Sequence, residues 1–247
     1  MSPLQEKRAL VTGGSRGIGA AIAKRLAADG AHVAITYERS AERAQAVVAE
    51  IEKLGRRGLA IKADSADPAA VKAAVDQAAK AFGGLDILVN NAGIFRGGGP
   101  IESITLEDID ATLAVNVRAV VVASQAAAKH MKEGGRIISI GSNLASRVAG
   151  PGVSLYSMSK SALIAWTQGL ARDLGSRGIT VNIVHPGSTD TDMNPAQGEQ
   201  AAAQRGRMAI PRYGKAEDVA ALVAFVAGPE AGSINGTGLG IDGGSNA

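Results

Sequence analysis

Apolar residues in this chain fall in short unbroken runs, set apart by longer Ala-rich segments. RALVT (8–12), HVAIT (32–36), GLAIK (58–62), LDILVN (85–90), RIISI (136–140), TVNIVH (180–185) and LGID (239–242) predict seven strands. Most are near-continuous Val, Ile and Leu rather than alternating. A strand buried on both faces reads this way, so a parallel sheet covered on both sides is expected. The intervening segments carry helix ends. Asp67 followed by Pro68 offers an N-cap and a first helical position. Thr105 with Asp108 resembles a capping box in which Asp replaces Glu. Gly30, Gly55 and Gly178 follow helical runs, where a left-handed residue is wanted. Long helices are predicted over 105–131 and 154–176. The alternation implies right-handed crossovers and an α/β doubly wound fold. No linker or composition break divides the chain, so 1–247 reads as one domain. Residues 188–213 break the alternation with Pro195, Pro211 and a short helix near 197–208. A connection of that length is usually functional, and it is assigned as a substrate loop.

Composition narrows the chemistry. Hydrophobic residues make up 46% and aromatics only 3%, so Ala, Val, Ile and Leu must build the core. The absence of Cys excludes disulfides, thiolate metal sites and a Cys nucleophile. His32, His130 and His185 show no ligand spacing, so no metal is expected. The net charge of +3 spreads over mixed signs, without basic runs interleaved with aromatics, so no nucleic-acid partner is expected. No run of about 18 apolar residues is present, and the first residues, MSPLQEKRALVTGG, are charged where a signal peptide is apolar. The expectation is a cytoplasmic protein without a membrane span.

The first strand runs into TGGSRGIG and then into the helix AAIAKRLAADG. A glycine turn at the first strand–helix junction can hold a dinucleotide pyrophosphate. Backbone N–H groups and the helix N-terminus stabilise the anion, and absent Cβ atoms allow close approach. The turn comprises Gly13, Ser15, Arg16, Gly17, Ile18 and Gly19, with spacing G-x-x-x-G-x-G. At the end of the second strand, an acid would read the 2′-hydroxyl of NAD, whereas Arg would read the 2′-phosphate of NADP. Here Tyr37 stands at the acid's position, followed by Glu38, Arg39 and Ser40. Arg39, Ser40 and Arg16 favour NADPH. Glu38 keeps NADH open.

Tyr156 and Lys160 are four residues apart in a predicted helix, so they share a face with Cβ atoms about 5–6 Å apart. A nearby ammonium favours the phenolate. Bringing a tyrosine pKa from about 10 to near 7 takes roughly 4 kcal/mol, which one desolvated cation plus an oxidised nicotinamide can supply. The pair is therefore a candidate acid/base.

TGGSRGIG, NNAG (90–93), Asn116, Ser142 after RIISIG, YSMSK (156–160) and HPGSTDT (185–191) occur in one order along essentially the whole chain. This set resembles the short-chain dehydrogenase/reductase family, and within it the 3-oxoacyl-carrier-protein reductases and similar carbonyl reductases. The resemblance implies a Rossmann-type domain with a seven-stranded parallel sheet and a catalytic tetrad of Asn116, Ser142, Tyr156 and Lys160. Tyr156 would protonate the carbonyl oxygen, and Ser142 would hydrogen-bond it. Lys160 would lower the Tyr156 pKa and bind the nicotinamide ribose. Asn116 would hold a water that links Lys160 to solvent. Asp64 and Ser65 would touch the adenine, and Asn91, Ala92 and Gly93 would line the ribose side. Pro186, Gly187, Thr189 and Thr191 would surround the carboxamide.

Candidate pocket residues are Ser142, Asn143, Leu144, Val153, Leu155 and Met193, mostly small or aliphatic. The expected reaction is NAD(P)H-dependent reduction of a 3-oxoacyl thioester, 3-oxo ester or small neutral ketone to a secondary alcohol. Arg177, Lys129 and Lys132 are where an acyl carrier protein would dock, but Glu133 interrupts them, so a free ketone is at least as well supported. The helices at 105–131 and 154–176 are apolar on more than one face, and the resemblance implies a homotetramer built through them. Two rivals stand: an NAD-dependent alcohol or polyol dehydrogenase, and a non-catalytic dinucleotide-binding regulator.

Overall fold

The computed structural model describes residues 2–247. Its strands are β1 (Arg8–Val11), β2 (His32–Tyr37), β3 (Gly58–Lys62), β4 (Ile87–Asn90), β5 (Arg136–Ile140), β6 (Thr180–Pro186) and β7 (Gly238–Ile241). They form one parallel sheet in the order β3-β2-β1-β4-β5-β6-β7. All seven predicted strands are present, with ends moved by one or two residues. The continuous apolar runs follow from double-sided burial. In β1, Ala9 and Val11 join the core on one face, while Leu10 joins the core on the other.

On the first face lie α1 (Gly17–Ala28), α2 (Ala41–Lys53) and α8 (Ala216–Ala227). On the other lie α3 (Pro68–Phe82), α5 (Ala119–His130) and α6 (Ser154–Gly175). Small side chains let these layers approach: α5 buries Ala119, Ala123, Ala126 and Ala127. The larger aliphatics Leu10, Ile22, Leu26, Ile35, Leu88 and Ile138 are fully enclosed. Each such side chain contributes about 1.5–3 kcal/mol on burial.

The predicted caps form. Asp67 accepts from the Ala69 N–H at 2.8 Å, and Thr105 accepts from the Asp108 N–H at 3.1 Å. Gly30, Gly55 and Gly178 all adopt positive φ. The helix predicted over 105–131 is not uniform. It comprises α4 (Leu106–Leu113), one wide π turn (Ala114–Arg118) and α5. This 25-residue span is long and apolar enough to cross a bilayer, yet half of its most apolar stretch is buried within the fold.

The loop 188–213 contains a helix shorter than expected, α7 (Ala201–Arg205). The loop is laced internally. Gln204 bonds Ser188 and Asn194, and Arg205 donates to the Ala196 carbonyl. The direction in which successive strands are added reverses between β1 and β4, one leading outward to β2 and the other to β5. That reversal opens a crevice beyond the C-terminal strand ends, where ligands of such sheets bind.

Candidate active site

The glycine turn between β1 and α1 needs its glycines for identifiable reasons. Gly13 lies at φ 64°, and a Cβ there would stand 3.0 Å from the Ala92 Cα. A Cβ on Gly19 would meet the Asn91 amide nitrogen at 2.4 Å and the Gly13 carbonyl oxygen at 2.5 Å. The Asn91 amide donates to the carbonyls of Thr12 (2.9 Å) and Gly13 (3.1 Å). Its side chain therefore braces the turn. Ala92 is held by its N–H, which donates to the Thr12 hydroxyl. Ser15 and Ile18 complete the turn. Gly17, at φ 53°, faces the Thr191 methyl.

At the end of β2, the Tyr37 ring packs partly against the core. Ser40 sits at the N-cap of α2 but makes no capping bond, so its hydroxyl is free for another acceptor. Arg39 pairs with its neighbour. It donates to Glu38 at 2.8 Å and points into solvent, so adjacent charges satisfy each other. Arg43, in the first turn of α2, and Arg16 both pair with Asp192. Asp64 accepts from the Ala66 N–H, an ordinary strand-end turn, and Ser65 borders a small cavity with Thr12, Asn90 and Ala92.

The tetrad residues converge beyond β4 and β5. Lys160 is buried, and its Nζ donates to the Ile140 carbonyl at the end of β5, at 2.9 Å. Nζ lies 5.8 Å from the centre of the Tyr156 ring. Ser142 follows β5, and its hydroxyl accepts from the Leu144 N–H at 3.1 Å. Asn116 lies in the π turn, fully buried. Its amide donates to the Ile94 carbonyl and the Ser159 hydroxyl, and its oxygen accepts from the Ile94 N–H. A wide turn reorients a side chain that a regular helix would place elsewhere. Asn116 thus ties the loop after β4 to α6. Gly93 lies between, since a Cβ there would stand 3.4 Å from Lys160 Nζ and 3.5 Å from Asn116 Oδ1.

In the chain without cofactor, burial governs the electrostatics of the pair. Burial pushes the Tyr156 phenol up to about 12, opposed by the neighbouring Ser142 hydroxyl. Burial also pushes Lys160 down to about 8. Desolvation penalises both charged forms, and in the protein alone it outweighs the mutual attraction that the four-residue spacing suggests. His185, at the end of β6, was not singled out by spacing. Its Nδ1 lies 2.9 Å from the Ser142 carbonyl oxygen and 3.3 Å from the Ser142 N–H nitrogen. The shorter contact makes Nδ1 the donor. Burial first, then Lys160, keep this imidazole below its usual pKa.

Gly187 is required by close approach, since a Cβ would meet the Asp242 Cα at 2.6 Å. Pro186 closes β6, and Thr189 is buried with its hydroxyl donating to the Gly187 carbonyl. Among the pocket candidates, Asn143 and Leu144 form the short helical turn after Ser142, and Val153 precedes α6. Leu155 is buried against Gly97, whereas Met193 is exposed. Phe95 belongs to this group but carried no sequence signal. Its ring lies 5.3 Å from that of Tyr156.

A family model described as enoyl-(acyl carrier protein) reductase matches residues 13–246. The chain is a short-chain dehydrogenase/reductase. A solved structure from this family, a short-chain dehydrogenase of Burkholderia cenocepacia J2315 in complex with NADP, is 78% identical. It superposes with a TM-score of 0.98, covering 99% of this chain and 100% of that one. A cyclic-di-GMP-binding biofilm dispersal mediator protein of Escherichia coli K12 is 45% identical over 98% of each chain. A versicolorin reductase of Emericella nidulans is 40% identical, covering 98% of this chain and 96% of its own. Within this oxidoreductase family, the glycine cradle fits a dinucleotide. Its glycines keep the turn's backbone bare of Cβ atoms, the Ser40 hydroxyl makes no capping bond, and Arg16 stands at the rim paired with Asp192.

Proposed function

We propose that this protein reduces a neutral ketone to a secondary alcohol with NADPH. The observation that carries the reading is the convergence of Ser142, Tyr156 and Lys160 beyond β5, with Lys160 Nζ held 5.8 Å from the phenol ring. The NADP bound by the Burkholderia relative supports the cofactor. The name of the Emericella relative supports reduction.

The glycine turn, Arg16 and Ser40 would hold the dinucleotide, with Pro186, Gly187, Thr189 and Thr191 at the nicotinamide end. When bound, NADPH supplies the hydride from C4 of its nicotinamide. Every other element of the reaction belongs to the chain. Ser142 hydrogen-bonds the carbonyl oxygen and fixes its position. Tyr156 delivers the proton to that oxygen. A phenol held near 12 remains protonated at neutral pH, so it stands ready as the acid for reduction. Lys160 is positioned to return a proton and to hold ribose hydroxyls. Asn116 fixes the loop that carries Gly93, and with it the wall of this site. Phe95, Leu144, Val153 and Met193 make the opening largely apolar, which suits an uncharged ketone. Arg177 is not free for a carrier protein, because it donates to the Ala128 and Met131 carbonyls. Four chains packed through the apolar helices are proposed as the working assembly.

The test is NADPH oxidation against 3-oxo esters, 3-oxoacyl thioesters and cyclic or aryl ketones. Turnover is expected, and Tyr156→Phe should lower kcat about 10²–10⁴-fold while NADPH still binds. Folded protein that binds NADPH and reduces no ketone would remove the reading. The regulator reading has one observation in its favour, the name of the Escherichia coli relative. It requires a biological effect that survives Tyr156→Phe.

A further inference from the structure

The hydrogen-bond ladder between β5 and β6 gives way to a side chain just before Ser142. The register runs to Ile140 opposite Val184, and the Gly141 N–H donates to the Val184 carbonyl at 2.7 Å. In a parallel ladder the next bond would run from the N–H of residue 186 to the Gly141 carbonyl. Pro186 has no N–H, so the ladder stops there. One residue further on, Ser142 is held by the His185 ring instead. Nδ1 lies 2.9 Å from the Ser142 carbonyl oxygen and 3.3 Å from the Ser142 backbone nitrogen. The ring is buried, in a slot that two glycines leave open. A Cβ on Gly141 would stand 2.5 Å from Nδ1, and a Cβ on Gly238 in β7 would stand 2.8 Å from Nε2. The remaining bonds of Ser142 lie within its own turn: its carbonyl takes the Ala145 N–H at 3.0 Å, and its hydroxyl takes the Leu144 N–H at 3.1 Å.

We infer that His185 is a positioning residue for the reaction: its Nδ1–H anchors the Ser142 backbone, and that anchor aims the Ser142 hydroxyl at the carbonyl oxygen being reduced. This rests on the ketone-reduction reading above. Ser142 opens the short helical turn Asn143–Ala145. Without His185, that turn is tied to the end of β5 through the Gly141 bond alone. A hydroxyl that must meet a reacting oxygen works only while its backbone is fixed, and a misplacement of about 1 Å costs about 10²-fold in rate. The same hydroxyl neighbours the Tyr156 phenol, so its placement bears on both groups that touch the carbonyl oxygen. The anchor belongs to one ring atom. Burial and the charge of Lys160 favour the neutral imidazole, which carries a single ring proton, and the 2.9 Å contact places that proton on Nδ1. Nε2 faces Gly238 and makes no part of the anchor.

Two polar substitutions separate this role from simple space filling. The amide of Asn reaches the position of Nδ1, whereas the longer Gln carries its amide to the position of Nε2. His185→Gln is expected to lower kcat for ketone reduction about ten- to a hundredfold, with NADPH affinity unchanged by fluorescence titration. His185→Asn is expected to recover most of that loss. In the Ser142→Ala background, His185→Gln should change kcat less than about threefold, because the group it positions is gone. Equal kcat in the Asn and Gln variants, or a His185→Gln loss that persists in full without the Ser142 hydroxyl, would overturn the inference. Nitrogen NMR of the unmodified full chain, with the His185 signals assigned by their absence from His185→Asn, gives a readout that needs no turnover. A proton on Nδ1 supports the anchor, and a proton on Nε2 overturns it. If the unmodified protein reduces no ketone, the reduction reading fails, and the tautomer alone then decides whether His185 anchors Ser142.

Discussion

Lys160 shows how far a side chain's chemistry can depart from its sequence spacing. Burial holds it near 8, against a usual value of 10.5. Between these values the unfolded chain carries a proton that the native protein has shed. Stability of the cofactor-free protein therefore rises with pH across that window, and below about 8 the buried charge costs roughly 3 kcal/mol. Tyr156 acts oppositely. Its folded pKa near 12 exceeds the usual 10, so the native state holds the extra proton and stability falls as pH rises through 10 to 12. Lys160→Met is expected to remove the rise between 8 and 10.5, read as the difference between urea-unfolding free energies of variant and parent. Parallel profiles would contradict it. The sequence exposed the pair through the four-residue interval. It could not expose the sign of the Tyr156 shift, which depends on how much protein crowds the phenol.

At the level of elements, the β1–α1 junction and the π turn differ in legibility. Three glycines between an apolar run and an amphipathic helix were enough to locate the turn. Their individual necessity came from contacts: Gly19 leaves room for Asn91, seventy-two positions away in the chain. Gly19→Ala is expected to weaken NADP binding at least about tenfold and to destabilise the fold by about 1–3 kcal/mol. Fluorescence titration and thermal unfolding check both, and unchanged binding would contradict the crowding. The π turn was not legible. AVNVR has ordinary helix propensity, and the wide turn carries Asn116, whose bonds to Ile94 and Ser159 join groups remote in sequence. The sequence marks Arg39 by its place near the strand end; the pairing of Arg43 with the same Asp192 that meets Arg16 carried no local signal.

For the whole molecule, the doubly covered sheet leaves some apolar surface outside. Leu106, Leu113 and Met158 on α4 and α6 are exposed, as is Phe225 on α8. The small exposed residues Ala162, Ala165 and Gly169 extend the α6 face. Light scattering at micromolar concentration is expected to give four times the chain mass of 24.9 kDa. A species of 24.9 kDa would remove the assembly from the proposal.

Fold class, all seven strands, the caps at Asp67 and Thr105, the glycine turn and the Tyr156–Lys160 pair were written in local order along the chain. They were legible because burial on two faces, cap chemistry and helical periodicity act over a few residues. Tertiary structure alone decided the rest. It paired Arg43 with Asp192 beside Arg16, put the Asn91 amide under the turn, placed Phe95 beside Tyr156 and His185 behind Ser142, and raised the phenol pKa. Each of these depends on groups remote in sequence that meet only when the layers pack. Desolvation and close contact are properties of that packed interior, and no short stretch of residues encodes them.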